Sequence, residues 1–189
     1  MVVSQDRVLV TGAGGFIGSH LVECLVRRGD VVRCFVRYNS RGDYGHLDLL
    51  PKDIQGHLEI IQGDLRDPDA VIKATTGVSI VYHLGAIIPI PYSYIHPREV
   101  IETNVMGTVN LLEACRHVPS VKAIVVITSD KCYENHEKKD GYTESDRLGG
   151  HDPYSASKAA TELVVDSYRK SYFEQQGVLL ASARAGNVI

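Results

Sequence analysis

The chain has 189 residues, 44% hydrophobic and 23% charged, with a formal net charge of −3. That length suffices for one domain with a substantial core, and the composition is that of a globular protein. The small negative charge argues against general affinity for nucleic acid or an anionic membrane surface, and no apolar run approaches the roughly 20 residues of a membrane span.

The N-terminus, Met1 to Arg7, leads straight into a strand and lacks the layout of a signal peptide. Arg7 to Thr11 (RVLVT) reads as a buried strand. Phe16 to Arg28 reads as a helix with Ile17, Leu21 and Leu25 on one face and Gly29 as its stop. Strands are expected at Val31 to Val36 and Leu58 to Gln62. A short helix is expected at Pro68 to Thr75, with Asp67 as N-cap and Pro68 at its first position. A fourth strand at Ser79 to His83, a long helix at Arg98 to His117 and a fifth strand at Ala123 to Thr128 follow. A second long helix, Tyr154 to Gln176, is announced by Asp152 and Pro153 and ended by Gly177, and Val178 to Ala183 is the sixth strand. Strands separated by helices in this way predict an α/β fold: a doubly wound parallel sheet of Rossmann type, strand order 3-2-1-4-5-6, covered on both faces. The stretch 133–151 is polar and glycine-containing. It follows a strand, where ligands bind in such sheets. Its His136, Glu137, His151 and Asp152 have no metal-ligand spacing and read as solvated residues or caps, so no metal is expected. Cys24, Cys34, Cys115 and Cys132 form no CxxC pair, which predicts reduced thiols and a cytoplasmic setting.

Gly12, Gly15 and Gly18 sit in TGAGGFIG between the first strand and the first helix. Glycine lets the backbone turn tightly and lets a pyrophosphate approach, and the helix N-terminus then offers free N–H groups and a favourable dipole. An acidic residue is normally expected at the end of the second strand to hold the adenosine ribose. This chain has Arg37 there, with Arg41 nearby. Arg37 is either a ligand for the 2′-phosphate of NADP or a solvated strand-end residue. Tyr154 and Lys158, in YSASK, stand one helical turn apart on one face. An ammonium near a tyrosine favours the phenolate, so Tyr154 is expected to ionise more easily than a free phenol and to act as a base.

The GxxGxxG spacing within TGAGGFIGSHL resembles the extended short-chain dehydrogenase/reductase family of nucleotide-sugar epimerases and dehydratases. The resemblance implies an NAD or NADP cofactor contacted by Gly12, Gly15, Phe16, Ile17 and Gly18, and by Asp64 and Leu65 of QGDLRD. It also implies cofactor contacts from Leu84, Gly85 (where alanine is usual) and Ala86 of HLGA, from Asn104 near the lysine, and from Tyr154 and Lys158 at the nicotinamide ribose. By the same resemblance Asn187 contacts a nucleotide-sugar substrate. A catalytic hydroxyl is implied at Ser129, with Thr128 as runner-up. ITSDKCYEN, LGGHDPYSASKAATELV and ASARAGNVI resemble CDP-glucose 4,6-dehydratases, which leans the cofactor to NAD. That likeness implies Asp130 as acid to the leaving C6 hydroxyl and Lys131 as partner in deprotonating C5; a lysine acting as base must lose its charge, through burial or neighbouring cations. Residues 7 to about 98, with VRYNSRG and PYSYIHP, look more like UDP-amino-sugar epimerase/dehydratases, so the substrate clue comes from the second half. The family continues for a stretch of comparable size. The 189 residues are therefore expected to form one NAD(P)-binding domain carrying the tyrosine–lysine site, with the C-terminal substrate subdomain largely missing. The expected function is a nucleotide-sugar 4,6-dehydratase. The alternatives are a nucleotide-sugar 4-epimerase, which needs neither Asp130 nor Lys131, and a dinucleotide-binding or dimerising fragment without catalysis. The family also implies a homodimer through helices 98–117 and 154–176, although Val105, Val109, Leu112, Leu163 and Val164 could equally face the sheet.

Overall fold

The computed structural model describes residues 6–188. Six strands, β1 (Arg7–Thr11), β2 (Val31–Val36), β3 (Leu58–Gln62), β4 (Ile80–His83), β5 (Ala123–Ser129) and β6 (Leu179–Ala185), form one sheet in the order β3-β2-β1-β4-β5-β6. Every pairing is parallel. This is the expected Rossmann order. The chain crosses from one edge to the centre between β3 and β4, so the strand ends diverge between β1 and β4, where Thr11 is in register with His83. Ligands bind at such a switch point.

Alternation along the strands builds two cores. Val8 and Val10 join Val22, Leu25, Val32 and Cys34 on one face. Leu9, between them, joins Leu111, Ile124, Val126 and Phe173 on the other. Both faces of the central strands are thus covered, as near-continuous apolar runs require. At the β5–β6 end one face is different: Leu179 is 74% exposed, and Ala181 and Ala183 are exposed beside it.

The helix signals act as read. Gly29, at φ 98°, ends Phe16–Arg28. Asp67 accepts from the backbone N–H groups of Asp69 and Ala70, and Asp152 accepts from that of Ser155. The two long helices run over 97–116 and 153–176. Each contains a wide π-turn, Glu102–Met106 in the first and Arg169–Phe173 in the second, which periodicity alone does not reveal. Four short helical segments were not anticipated: Gly45–Leu49, Lys52–Gln55, Ile90–Ile95 and Asp130–Cys132. They are too short to show a 3.6-residue pattern. Of the apolar residues on the long helices, Leu112 is in the core and Val164 packs against it, whereas Leu163 is 63% exposed.

Candidate active site

The carboxyl ends of the central strands open into a cleft of about 690 Å³, a volume suited to a sizeable organic ligand. From the β1 turn and the first helix come Gly12, Gly15, Phe16, Ile17 and Gly18; Leu84 and Ala86 follow β4. Ser129, Asp130, Lys131, Tyr154 and Lys158 reach it from β5 and the 153–176 helix, with Arg37 and Asn187 from β2 and β6. Fourteen residues scattered over most of the sequence thus line one cleft.

The β1 turn is a cradle that a side chain would fill. Gly12 has φ 67°, and a Cβ there would lie 2.8 Å from the backbone nitrogen of Gly85. A Cβ on Gly18 would lie 2.2 Å from the carbonyl oxygen of Gly12. The helix that follows has Gly15 as N-cap, with no side chain to cap its first N–H groups. Close-packed backbone, uncapped N–H donors and a helix dipole are what a pyrophosphate requires, so the residues present fit a dinucleotide.

At the other end, the Asp64 carboxylate is paired within its own loop. Its Oδ1 accepts from the backbone N–H (2.9 Å) and Nε (2.9 Å) of Arg66, and its Oδ2 from Nη2 at 2.6 Å. Arg66 holds its carboxyl below the usual carboxylate range. Asp64 does not line the cleft, and neither does Leu65, whose Cδ1 occupies space 2.7 Å from where a Cβ of Gly85 would stand. Arg37 does line the cleft, but its guanidinium pairs with Glu99 at 3.2 Å and lies 3.9 Å from Asp64. A 2′-phosphate there would share the guanidinium with Glu99. Asn39, Asp43, Tyr44 and Gly45 line this end as well and were missed. The backbone of His46 donates to the Gly14 carbonyl (2.9 Å), tying their loop to the glycine turn, a long-range contact with no signature in local sequence.

Between these ends lies a buried polar floor. Thr108 donates its hydroxyl to the Asn104 carbonyl at 2.7 Å, so at its 3.0 Å contact with His83 Nε2 the imidazole is the donor. Nδ1 then accepts from Thr11 at 2.7 Å, and the Gly85 N–H donates to the Thr11 hydroxyl at 3.1 Å. Burial, aided by the charge of Lys158, pushes the imidazole down to about 3, so His83 is neutral and its tautomer set by its neighbours. Asn104 stands in the first π-turn and does not line the cleft. Its Oδ1 accepts from the Ile87 N–H, and both its N–H bonds are used, on the Ile87 carbonyl and the Ser157 hydroxyl. It clamps the segment after β4 to the helix bearing Tyr154 and Lys158.

At the end of β5 the hydroxyl of Thr128 is committed to the Glu162 carboxylate. Ser129 caps the next turn by accepting from the Lys131 N–H at 3.2 Å, donates to Asp130 Oδ1 at 3.1 Å and adjoins the Tyr154 phenol, and both hydroxyl residues line the cleft. The expectation for Tyr154 needs correction. Burial pushes its phenol above the ordinary value, against the pull of Ser129 and the charge of Lys131. Lys158 donates instead to the Ile127 carbonyl at 3.3 Å, and burial brings its ammonium down to about 8. Desolvation of both groups therefore outweighs the attraction expected from their spacing. Lys131 also differs. Its Nζ lies 3.0 Å from each oxygen of Asp130, and both side chains are 45% exposed. No group of three or more potential metal ligands occurs among the described residues.

Residues 9–181 match the family model for GDP-mannose 4,6 dehydratase. The CDP-glucose 4,6-dehydratase of Salmonella typhimurium is 42% identical over 97% of this chain, which covers 52% of that protein. The crystal structure of DesIV, a dTDP-glucose 4,6-dehydratase from Streptomyces venezuelae solved with NAD, is 32% identical with a TM-score of 0.77, over 87% of this chain and 52% of the other. The UDP-glucose 4-epimerase of Thermus thermophilus in complex with NAD is 31% identical with a TM-score of 0.76, over 94% of this chain and 54% of the other. The chain spans about half the length of these relatives.

Proposed function

Because this chain belongs to the GDP-mannose 4,6 dehydratase family, we propose that it carries the dinucleotide-binding and acid–base parts of a nucleotide-sugar 4,6-dehydratase. The observation that carries this reading is the Asp130–Lys131 pair, set in the same cleft as Tyr154 and Lys158. The Gly12–Gly18 cradle would hold an NAD(P) cofactor, which when bound would supply the hydride acceptor for C4 and the hydride donor for C6. Once its own proton has been lost to solvent through the open cleft, the Tyr154 phenolate would take the C4 hydroxyl proton, with Ser129 beside the same oxygen. Lys158, which lines the same cleft, would hold the cofactor ribose. The ion pair then contributes one base and one acid 3.0 Å apart. In this pair the Asp130 carboxylate would take the C5 proton and the Lys131 ammonium would give one to the departing C6 hydroxyl. This reverses the roles implied by resemblance, and water leaves across C5–C6. Asn187 would contact the sugar nucleotide. Asp64, Leu65, Gly85 and Asn104 support the cofactor through the backbone they hold rather than through contacts of their own.

The second reading, a 4-epimerase, is favoured by the sufficiency of Tyr154, Ser129 and Lys158 for oxidation at C4. Asp130→Asn separates the two. In a dehydratase, product formation should fall by at least about 100-fold, while near-ultraviolet absorbance still reports cofactor reduction. An epimerase would turn over undiminished. Dinucleotide binding without turnover of CDP- or UDP-hexoses would favour the binding fragment.

The proposed assembly is a homodimer through helices 97–116 and 153–176, where Ile101, Met106 and Leu163 remain exposed. Sedimentation equilibrium should give a dimer that Leu163→Glu dissociates. A wild-type monomer well above micromolar concentration would remove this proposal. Among the described residues no helix is long and apolar enough to cross a membrane. All four cysteines are free, in keeping with the cytoplasmic location proposed here.

A further inference from the structure

Glu162 has no step in the chemistry above, yet its carboxylate is buried at 5% exposure. It lies one helical turn beyond Lys158. Its Oε1 accepts from Thr128. Its Oε2 accepts from Ser182 Oγ at 2.9 Å and from Arg184 Nη2 at 2.9 Å. One carboxylate therefore joins the helix to β5 and β6, just behind the strand end that presents Ser129, Asp130 and Lys131. Arg184 extends the connection: its Nη1 donates to the Tyr133 hydroxyl at 2.9 Å, and its guanidinium lies 5.0 Å from that ring's centre. Tyr133 directly follows the Asp130–Cys132 turn. A carboxylate removed from water persists only when paired and hydrogen-bonded, and this one has three donors.

Lys158 is the group that Glu162 most affects. The ammonium is buried, and its one hydrogen bond is to the carbonyl of Ile127. The groups facing it are Glu162 on its own helix, Cys132 on the turn after β5 and His83 on β4, with Arg184 of β6 beyond Glu162. Glu162 is the anion among them. His83 is neutral, and burial pushes the Cys132 thiol up to about 11. Desolvation lowers Lys158, and the charge of Glu162 opposes it.

We propose that Glu162 is a positioning residue that keeps Lys158 cationic beneath the cofactor while pinning the catalytic end of β5 to β6. The proposal rests on the reading that Lys158 serves a bound dinucleotide, but its test does not need one. Titration of the Lys158 side chain in ¹³C-lysine-labelled protein, assigned by loss of the signal in Lys158→Met, gives the midpoint directly. In Glu162→Gln the midpoint should fall by at least about one pH unit, since an opposing charge has gone and burial has not. In Glu162→Asp, which keeps the charge, it should stay within about half a unit of wild type. An unchanged midpoint in the glutamine variant overturns the proposal, and so does an equal fall in the aspartate variant, which would make the effect one of packing. If the glutamine variant does not fold, Glu162→Met, which removes the charge at similar volume, is titrated in its place and read by the same one-unit limit. NADH binding followed by fluorescence separates the two claims. With a cationic Lys158 required, affinity should fall as pH rises through the wild-type midpoint, and at a lower pH in Glu162→Gln. Absence of NADH binding at every pH would sink the proposed function and leave the titration result standing.

Discussion

Replacing Tyr154 by phenylalanine is expected to lower turnover of a nucleotide hexose by about 1,000-fold, within the range for loss of a general acid–base group. Dinucleotide affinity should stay within a few-fold of wild type. The ring is 8% exposed and remains in place. The variant removes only the hydroxyl, so the fold should be unaffected and its melting temperature should move little. The reason for so large an effect is that, in the proposed chemistry, the tyrosine oxygen beside Ser129 is the group placed to accept the C4 hydroxyl proton. Steady-state rates together with a binding titration test this, and near-normal turnover by the phenylalanine variant would remove Tyr154 from the chemistry.

Gly18→Ala should act on binding and stability together. The added Cβ would stand 2.2 Å from the Gly12 carbonyl oxygen and 2.9 Å from the Ala13 Cα. Both neighbours are backbone, so the helix must back away from the turn. Overpacking of this kind costs about 1–3 kcal/mol, which for a domain of this size is a fall in melting temperature of about 2–12 °C. Moving the helix N-terminus also withdraws its N–H groups from the pyrophosphate, so affinity for dinucleotide should fall at least about tenfold, or about 1.4 kcal/mol. At Gly15 an added Cβ would meet only the Gly12 oxygen, at 3.3 Å. Gly15→Ala should therefore cost less stability. Calorimetry of the two variants tests the order, and equal melting temperatures would show that the turn is not close-packed at Gly18.

The contrast between these glycines shows how far sequence reasoning reaches. The GxxGxxG spacing marks all three positions alike, and only the packing of the Gly12 carbonyl separates Gly18 from Gly15. Asp130 and Lys131 are legible as adjacent acid and base. Their ion pairing and half-exposure are not. Asp64 looks like a ligand residue in QGDLRD, but the same string places Arg66 two residues on, and Arg66 takes both carboxylate oxygens. Glu162 lies four residues beyond Lys158, a spacing equally common on solvated helix faces. Nothing local announces that β6 will bring Ser182 and Arg184 to it.

By itself the sequence determined the strand and helix order, the sheet type and the turn–helix and tyrosine–lysine motifs. These follow from apolar periodicity, caps and glycine spacing, which act over a few residues. Tertiary structure alone decided the charge state and partners of the site: the raised phenol of Tyr154, the lowered ammonium of Lys158, the shared guanidinium of Arg37 and the neutral imidazole of His83. Each depends on desolvation and on partners distant in the chain, and those terms exist only once the sheet has assembled.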